Sequence, residues 1–200
     1  AWARKRRSSP FSVREIVSED RVEVISSRIF YSLAYSDGQA SCATAALTLS
    51  GEYTLADQPV IFVLNGPNLN LLGTREPEIY GTDTLDDIAG HLDDRARAAG
   101  AVIDFRQSNH EGHLIDWLHE AQAVGAKAVL LNAAGYTHTS IAILDAIKAI
   151  TVPVFEVHLS DPHQREDFRH LSYVSMAAKA VFAGHGAKSY ELALDVALQL

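Results

Sequence analysis

From residue 59 onward the chain alternates short apolar, β-branched runs with longer stretches in which apolar residues return every three or four positions. Runs that read as buried on both faces, joined by segments of helical period, imply a parallel sheet with helices packed on it. The first run, residues 60–64 (VIFVL), ends in the turn-forming NGP of 65–67. Leu85, Ile88, Leu92 and Ala96 follow at helical spacing, with Thr84 placed to cap that helix and Gly100 to stop it. Residues 102–105 predict a second strand, and Ser108 with Glu111 has the spacing of a capping box opening a helix through Leu114, Ile115, Leu118 and Ala121 to Gly125. A third strand is expected at 128–131 and a helix through Ile141, Leu144, Ile147 and Ile150. A fourth strand at 153–157, a fifth at 179–183 and a helix at 190–200 that ends with the chain complete the series. Five such strands predict an α/β, flavodoxin-like doubly wound parallel sheet.

Composition changes at Gln58 and Pro59, dividing a domain of residues 59–200 from an N-terminal extension of residues 1–58. The extension opens on ARKRRSSP and turns Ser-, Ala- and Thr-rich. Acids follow its basic start so closely that a flexible tail of atypical composition is expected rather than a targeting or nucleic-acid arm. Within it, IFYSLAY and TAALTLS flank a turn-like SDGQ, a spacing that allows a hairpin. Net charge is −8, with seven Arg or Lys against four acids in residues 1–28, leaving ten against twenty-one, or −11, for the rest. Such an acidic body argues against a nucleic-acid surface. The one cysteine, Cys42, excludes an internal disulfide and fits a reducing compartment. No uncharged apolar run reaches the ~18 residues of a membrane helix, and charges between Arg14 and Arg28 interrupt any secretory segment, so a cytoplasmic protein without membrane contact is expected.

Polar residues gather after the first, third and fourth strands, where open α/β sheets bind ligands. The first loop carries Asn68, Asn70, Arg75 and Tyr80. A tyrosine phenol is a useful base only when its pKa of about 10 is lowered by a nearby cation, and Arg75 is the candidate cation. Taken alone, Tyr80 before Gly81 reads equally well as a turn aromatic and Arg75 as a solvated charge. Glu156 and His158 sit two apart and share a face if the strand persists, so the carboxylate can set the imidazole tautomer. Such a histidine can protonate a leaving hydroxyl; alone, it is as readily a satisfied histidine at a strand end. The backbone amides of Leu159 and Ser160 can bind a carboxylate, with Arg165 and Arg169 bringing cations to the same loop. Asn132 and His138 offer hydrogen bonds to hydroxyls, and Thr139 or Ser140 caps the next helix.

The segments NGPNLNLLGTREPEIYG, FRQSNHEG, YTHTSIAILDA, EVHLS and REDFRHLSY, in this order, resemble the type II 3-dehydroquinate dehydratases across essentially all of residues 59–200. The resemblance implies a flavodoxin-like enzyme of the shikimate pathway, without metal or organic cofactor, assembled as a dodecamer from trimers. It implies that Tyr80, as tyrosinate, removes a proton alpha to the ketone of 3-dehydroquinate while Arg75 depresses its pKa. Asn68 then helps hold a water against the enolate oxygen, His158 protonates the departing hydroxyl, and Glu156 orients His158. By the same resemblance Asn132, His138, Leu159, Ser160 and Arg169 bind the carboxylate and ring hydroxyls, Asp145 reaches a neighbouring subunit's site, and Arg165 belongs to a loop that closes over ligand. Three departures accompany the match: LNAAGYTHTS has alanine where the family more often has proline, FRHLSY has Leu171 where a second histidine is usual, and GHGAKSY differs from the usual glycine-and-glutamine version.

Two other classes compete with the enzyme reading. A flavodoxin-like binding module needs a glycine- or Ser/Thr-rich phosphate loop entering the first helix, whereas NGPNLNLLG lacks a phosphate-binding lysine and precedes a long excursion. An inactive interaction relative should lack Tyr80, Arg75 or His158, and all three are present.

Overall fold

A computed structural model describes residues 58–73 and 83–200, together with the paired strands Tyr35–Ser36 and Gln39–Ala40. The chain divides into two units, Ala1–Glu52 and Tyr53–Leu200. In the first, Tyr35–Ser36 pairs antiparallel with Gln39–Ala40; residues 37–38 between them and the flanks of the expected hairpin lie outside the described residues.

In the second unit five parallel strands form one sheet: β1 Val60–Asn65, β2 Val102–Gln107, β3 Ala128–Asn132, β4 Val154–Val157 and β5 Ala180–Phe182. Their order is β2-β1-β3-β4-β5, the doubly wound arrangement the alternation predicted. Four helices connect and flank them: α1 Leu85–Ala98, α2 Glu111–Ala123, α3 Ile141–Ala149 and α4 Lys188–Leu198. Strand side chains alternate between faces, so the central strands supply two cores. Ile61, Val63, Leu130 and Phe155 pack with Ile88 and Leu92 of α1 and Leu194 of α4. Phe62, Leu64, Val129 and Leu131 pack with Leu114 and Leu118 of α2 and Ile143 and Ile147 of α3. Apolar residues at 61–64 of β1 and 128–131 of β3 are therefore required by helices on both sides, and each strand turns polar only at its last residue, Asn65 and Asn132.

Thr84 caps α1 through a complete capping box: its hydroxyl accepts from Asp87 N at 3.1 Å, and the Asp87 carboxylate accepts from Thr84 N at 2.9 Å. Ser108 does not do the same for α2. The N-cap is His110, and Ser108 Oγ accepts from His110 N at 3.0 Å and meets His113 Nδ1 at 2.8 Å. The reason lies in β2, which runs two residues beyond the expected end, to Gln107, because its backbone follows Asn65 in register. Helix entry is thereby delayed past Ser108. At the other end α4 starts at Lys188, two residues earlier than expected, and stops at Leu198, before the chain's end. Strand β5 is shorter than the expected 179–183.

Because the strands are parallel, the loops after β1, β3 and β4 leave the same edge of the sheet. Asn65 stands beside Asn132 in register, and Gly66 N donates to Asn132 O at 2.8 Å. A Cβ on Gly66 would lie 2.5 Å from the Ala133 carbonyl oxygen, so only glycine lets the two loops approach this closely.

Candidate active site

At the carboxyl edge a cavity of about 200 Å³ is lined by Asn68, Asn132, His138, His158, Ser160 and Arg169, with Leu159 and Arg165 also on its wall. Residues from three separate strand ends thus meet as the sequence predicted. Arg75 and Tyr80 fall within 74–82 and lie outside the described residues.

Glu156, the third residue of β4, is wholly buried, and its Oε1 accepts from His158 Nε2 at 2.7 Å. The same oxygen accepts from Ser172 Oγ at 2.7 Å. A carboxylate acts only as acceptor, so this bond places a proton on His158 Nε2 and leaves Nδ1 as the nitrogen able to exchange a proton elsewhere. Ser172 was missed as a site residue, although it lies within the quoted FRHLSY segment; only folding brings its hydroxyl, sixteen residues away, onto Glu156.

His138 Nδ1 donates to Leu171 O at 2.7 Å, so its Nε2 is an acceptor in the neutral ring. Burial, the largest influence, pushes the His138 pKa below 6.5; the Leu171 carbonyl opposes this, while nearby His158 and Arg169 reinforce it. The partner on residue 171 is its backbone carbonyl, which leucine supplies as well as histidine.

Asn68 adopts the left-handed conformation, φ 66°, that lets the chain turn back into Leu69–Leu71. Its N–H donates to Asn109 Oδ1 at 2.9 Å, and Asn109 Oδ1 also accepts from Gln107 Nε2 at 3.1 Å. Tyr136 Oη donates to Asn109 O at 2.8 Å, tying the loops after β1, β2 and β3 together. Asn109 was not singled out; its signal was its place in FRQSNHEG, but its target is forty-one residues distant.

Leu159 and Ser160 follow His158 beyond the end of β4, and their amides find no acceptor among the described residues. Arg169 Nε donates to Glu166 Oε2 at 2.8 Å, with Arg165 Nε 3.6 Å from the same oxygen. The Glu166 carboxyl is held below its usual range, chiefly by its own backbone hydrogen bond and then by Arg169. Two half-buried guanidinium groups and two amides without an acceptor among the described residues suit an anion, while the neutral His138 imidazole offers an acceptor for a hydroxyl in the same cavity. Asp145 is the exception. It is exposed on α3 and does not line this chain's cavity.

The model of the family Dehydroquinase class II matches residues 59–198. The chain is 59% identical over 140 residues to 3-dehydroquinate dehydratase of Caulobacter vibrioides, covering 70% of this chain and 95% of the relative. It is 60% identical over 140 residues to that of Phenylobacterium zucineum, covering 70% and 96%. Among solved structures, type II dehydroquinase from Propionibacterium acnes superposes with a TM-score of 0.69 at 43% identity, covering 72% of this chain and 98% of that one. A five-stranded doubly wound sheet, a histidine and carboxylate paired at its carboxyl edge, and a family match across that whole region agree: the chain belongs to the class II dehydroquinase family.

Proposed function

We propose that this chain is a hydro-lyase that converts 3-dehydroquinate to 3-dehydroshikimate in the shikimate pathway, by anti elimination of water through an enolate. The observation that carries the reading is the buried Glu156–His158 pair, 2.7 Å apart at the wall of a small cavity with cationic residues, in a chain of this family. Tyr80, as tyrosinate with Arg75 favouring the anion, takes the proton alpha to the ketone, and the electron pair moves onto the carbonyl oxygen. Asn68 and a water stabilise that enolate oxygen. The enolate then re-forms the ketone as the carbon–oxygen bond to the β-hydroxyl breaks; His158 Nδ1 gives the departing oxygen its proton, and water leaves. Glu156 stabilises the imidazolium before that transfer and holds the ring's direction. Transfer of the proton from Tyr80 to His158 through solvent resets the enzyme.

The Leu159 and Ser160 amides with Arg169 bind the substrate carboxylate, Asn132 and His138 bind ring hydroxyls, and Arg165 closes over the ligand. The amides of residues 159 and 160, without an acceptor among the described residues, and the acceptor Nε2 of His138 support these assignments. Asp145, exposed and absent from the lining of its own cavity, serves the site of a neighbouring subunit in a homododecamer built as a tetramer of trimers; sedimentation at twelve times the chain mass is expected. No helix of the described residues is long and apolar enough to cross a membrane. We place the enzyme in the cytoplasm, with residues 59–200 as the catalytic domain and residues 1–58 as an extension dispensable for the chemistry.

The test is the ultraviolet absorbance of the conjugated enone carboxylate as protein meets 3-dehydroquinate. Absorbance should rise with the native chain and fall by about 10²-fold or more in rate with Tyr80→Phe, the scale of a lost general base. A native rate retained by that variant would remove Tyr80 as the base, and absence of any rise with the native chain and with residues 59–200 alone would remove the activity.

A further inference from the structure

Three polar side chains are linked in a row that ends at the cavity wall with Asn132, each almost wholly buried: Asn65 and Tyr190 at 0% exposure and Asn132 at 3%. Asn65 Nδ2 donates to Arg106 O at 3.0 Å, Tyr190 Oη donates to Asn65 Oδ1 at 2.6 Å, and Asn132 Nδ2 donates to Tyr190 Oη at 2.8 Å. At the far end Asn132 Oδ1 accepts from Ala134 N at 3.2 Å.

The direction of this row is dictated by its ends. A backbone carbonyl can only accept, so the Asn65 atom facing Arg106 is the amide nitrogen and its oxygen faces Tyr190. The Tyr190 hydroxyl has one proton, which goes to that oxygen, so toward Asn132 it can only accept. A backbone N–H can only donate, so Asn132 turns its oxygen to Ala134 and its nitrogen to Tyr190. One Asn132 Nδ2 hydrogen then remains without an acceptor among the described residues, on a side chain that lines the cavity.

We propose that Tyr190, on α4 and outside the catalytic group, is a positioning residue: by accepting from Asn132 it locks that amide so that Asn132 meets the substrate as a hydrogen-bond donor, to a hydroxyl or carboxylate oxygen. This rests on Asn132 contacting substrate as stated above. Burial keeps Tyr190 in its neutral phenol form by raising its pKa, so its single proton stays committed to Asn65 at working pH. Without the hydroxyl the Asn132 amide is held only by the longer bond from Ala134 N, so its remaining Nδ2 hydrogen is less firmly aimed where the substrate needs a donor.

The experiment is a cycle of the native enzyme, Tyr190→Phe, Asn132→Ala and the double variant, with kcat and KM from enone absorbance and cooperativity of unfolding from urea melts. Tyr190→Phe should raise KM about five- to twentyfold, the scale of one lost buried hydrogen bond, with a smaller change in kcat. In the Asn132→Ala background the same substitution should change kcat/KM by less than about twofold, because the residue it acts through is gone. Equal fold-losses in both backgrounds, or a native KM in a folded Tyr190→Phe protein, overturn the proposal while leaving Asn132 as a substrate contact. Native kinetics in Asn132→Ala would instead remove that contact, and the proposal with it. If Tyr190→Phe does not fold, Asn65→Ala substitutes: it frees the hydroxyl to turn its proton on Asn132, so KM should rise similarly, and a native KM there overturns the proposal.

Discussion

At the scale of single residues, the chemistry depends on groups whose partners remove their freedom. Ser172→Ala leaves the buried Glu156 carboxylate with His158 as its remaining hydrogen-bond partner among the described residues. Its charged form should be less well supported and the His158 ring less tightly held. We expect kcat to fall roughly five- to tenfold with KM little changed, the scale of one charge-assisted hydrogen bond, read by enone absorbance. His138 yields a pH prediction. Its folded pKa lies below 6.5, chiefly through burial, so below that pH the unfolded chain takes up a proton more readily than the folded one. The stability tied to neutral His138 is complete above 6.5 and is lost as pH falls toward the folded value. Urea melts near pH 7.5 and 5.5 should show the native protein losing more stability on acidification than His138→Gln; equal losses would assign the acid sensitivity elsewhere.

At the scale of elements, caps and packing explain where each helix begins. Thr84 and Asp87 form a reciprocal pair at the start of α1, and Thr84→Ala should cost about 1 kcal/mol in urea melts, since it strips a donor's partner without touching either core. The Thr84 cap was legible because local hydrogen bonds between residues three apart depend on little else. Ser108 and Glu111 show the converse, having the same spacing but losing the role because β2 extends two residues to stay in register with β1. A local signal is overruled when a ladder of long-range backbone hydrogen bonds claims the same residues. Helix α1 is further tied to α4 by Arg95, whose guanidinium makes two 2.6 Å hydrogen bonds to Asp195, a pair one hundred residues apart that no local pattern announces.

At the scale of the whole molecule, the sheet separates two cores and also joins them, because β1 and β3 contribute to both. Leu130 of β3 is fully buried at the centre of the sheet, and Leu130→Ala should cost about 2–5 kcal/mol, seen as a lower urea midpoint in one cooperative transition rather than as separate melting of one helix layer. From residue 59 onward, the sequence by itself determined the class of fold and the strand ends that carry polar residues, because burial on two faces demands continuous apolar runs and helix burial demands a 3.6-residue period. It also determined which residue types were available for acid–base and anion chemistry. Tertiary structure alone decided that Ser172 reaches Glu156, that Asn109 holds the Asn68 turn, and that Tyr190 links Asn65 to Asn132. Those contacts join residues between 16 and 125 positions apart, and hydrogen-bond geometry at such separations is set by strand register and helix packing, which no local run of residues encodes.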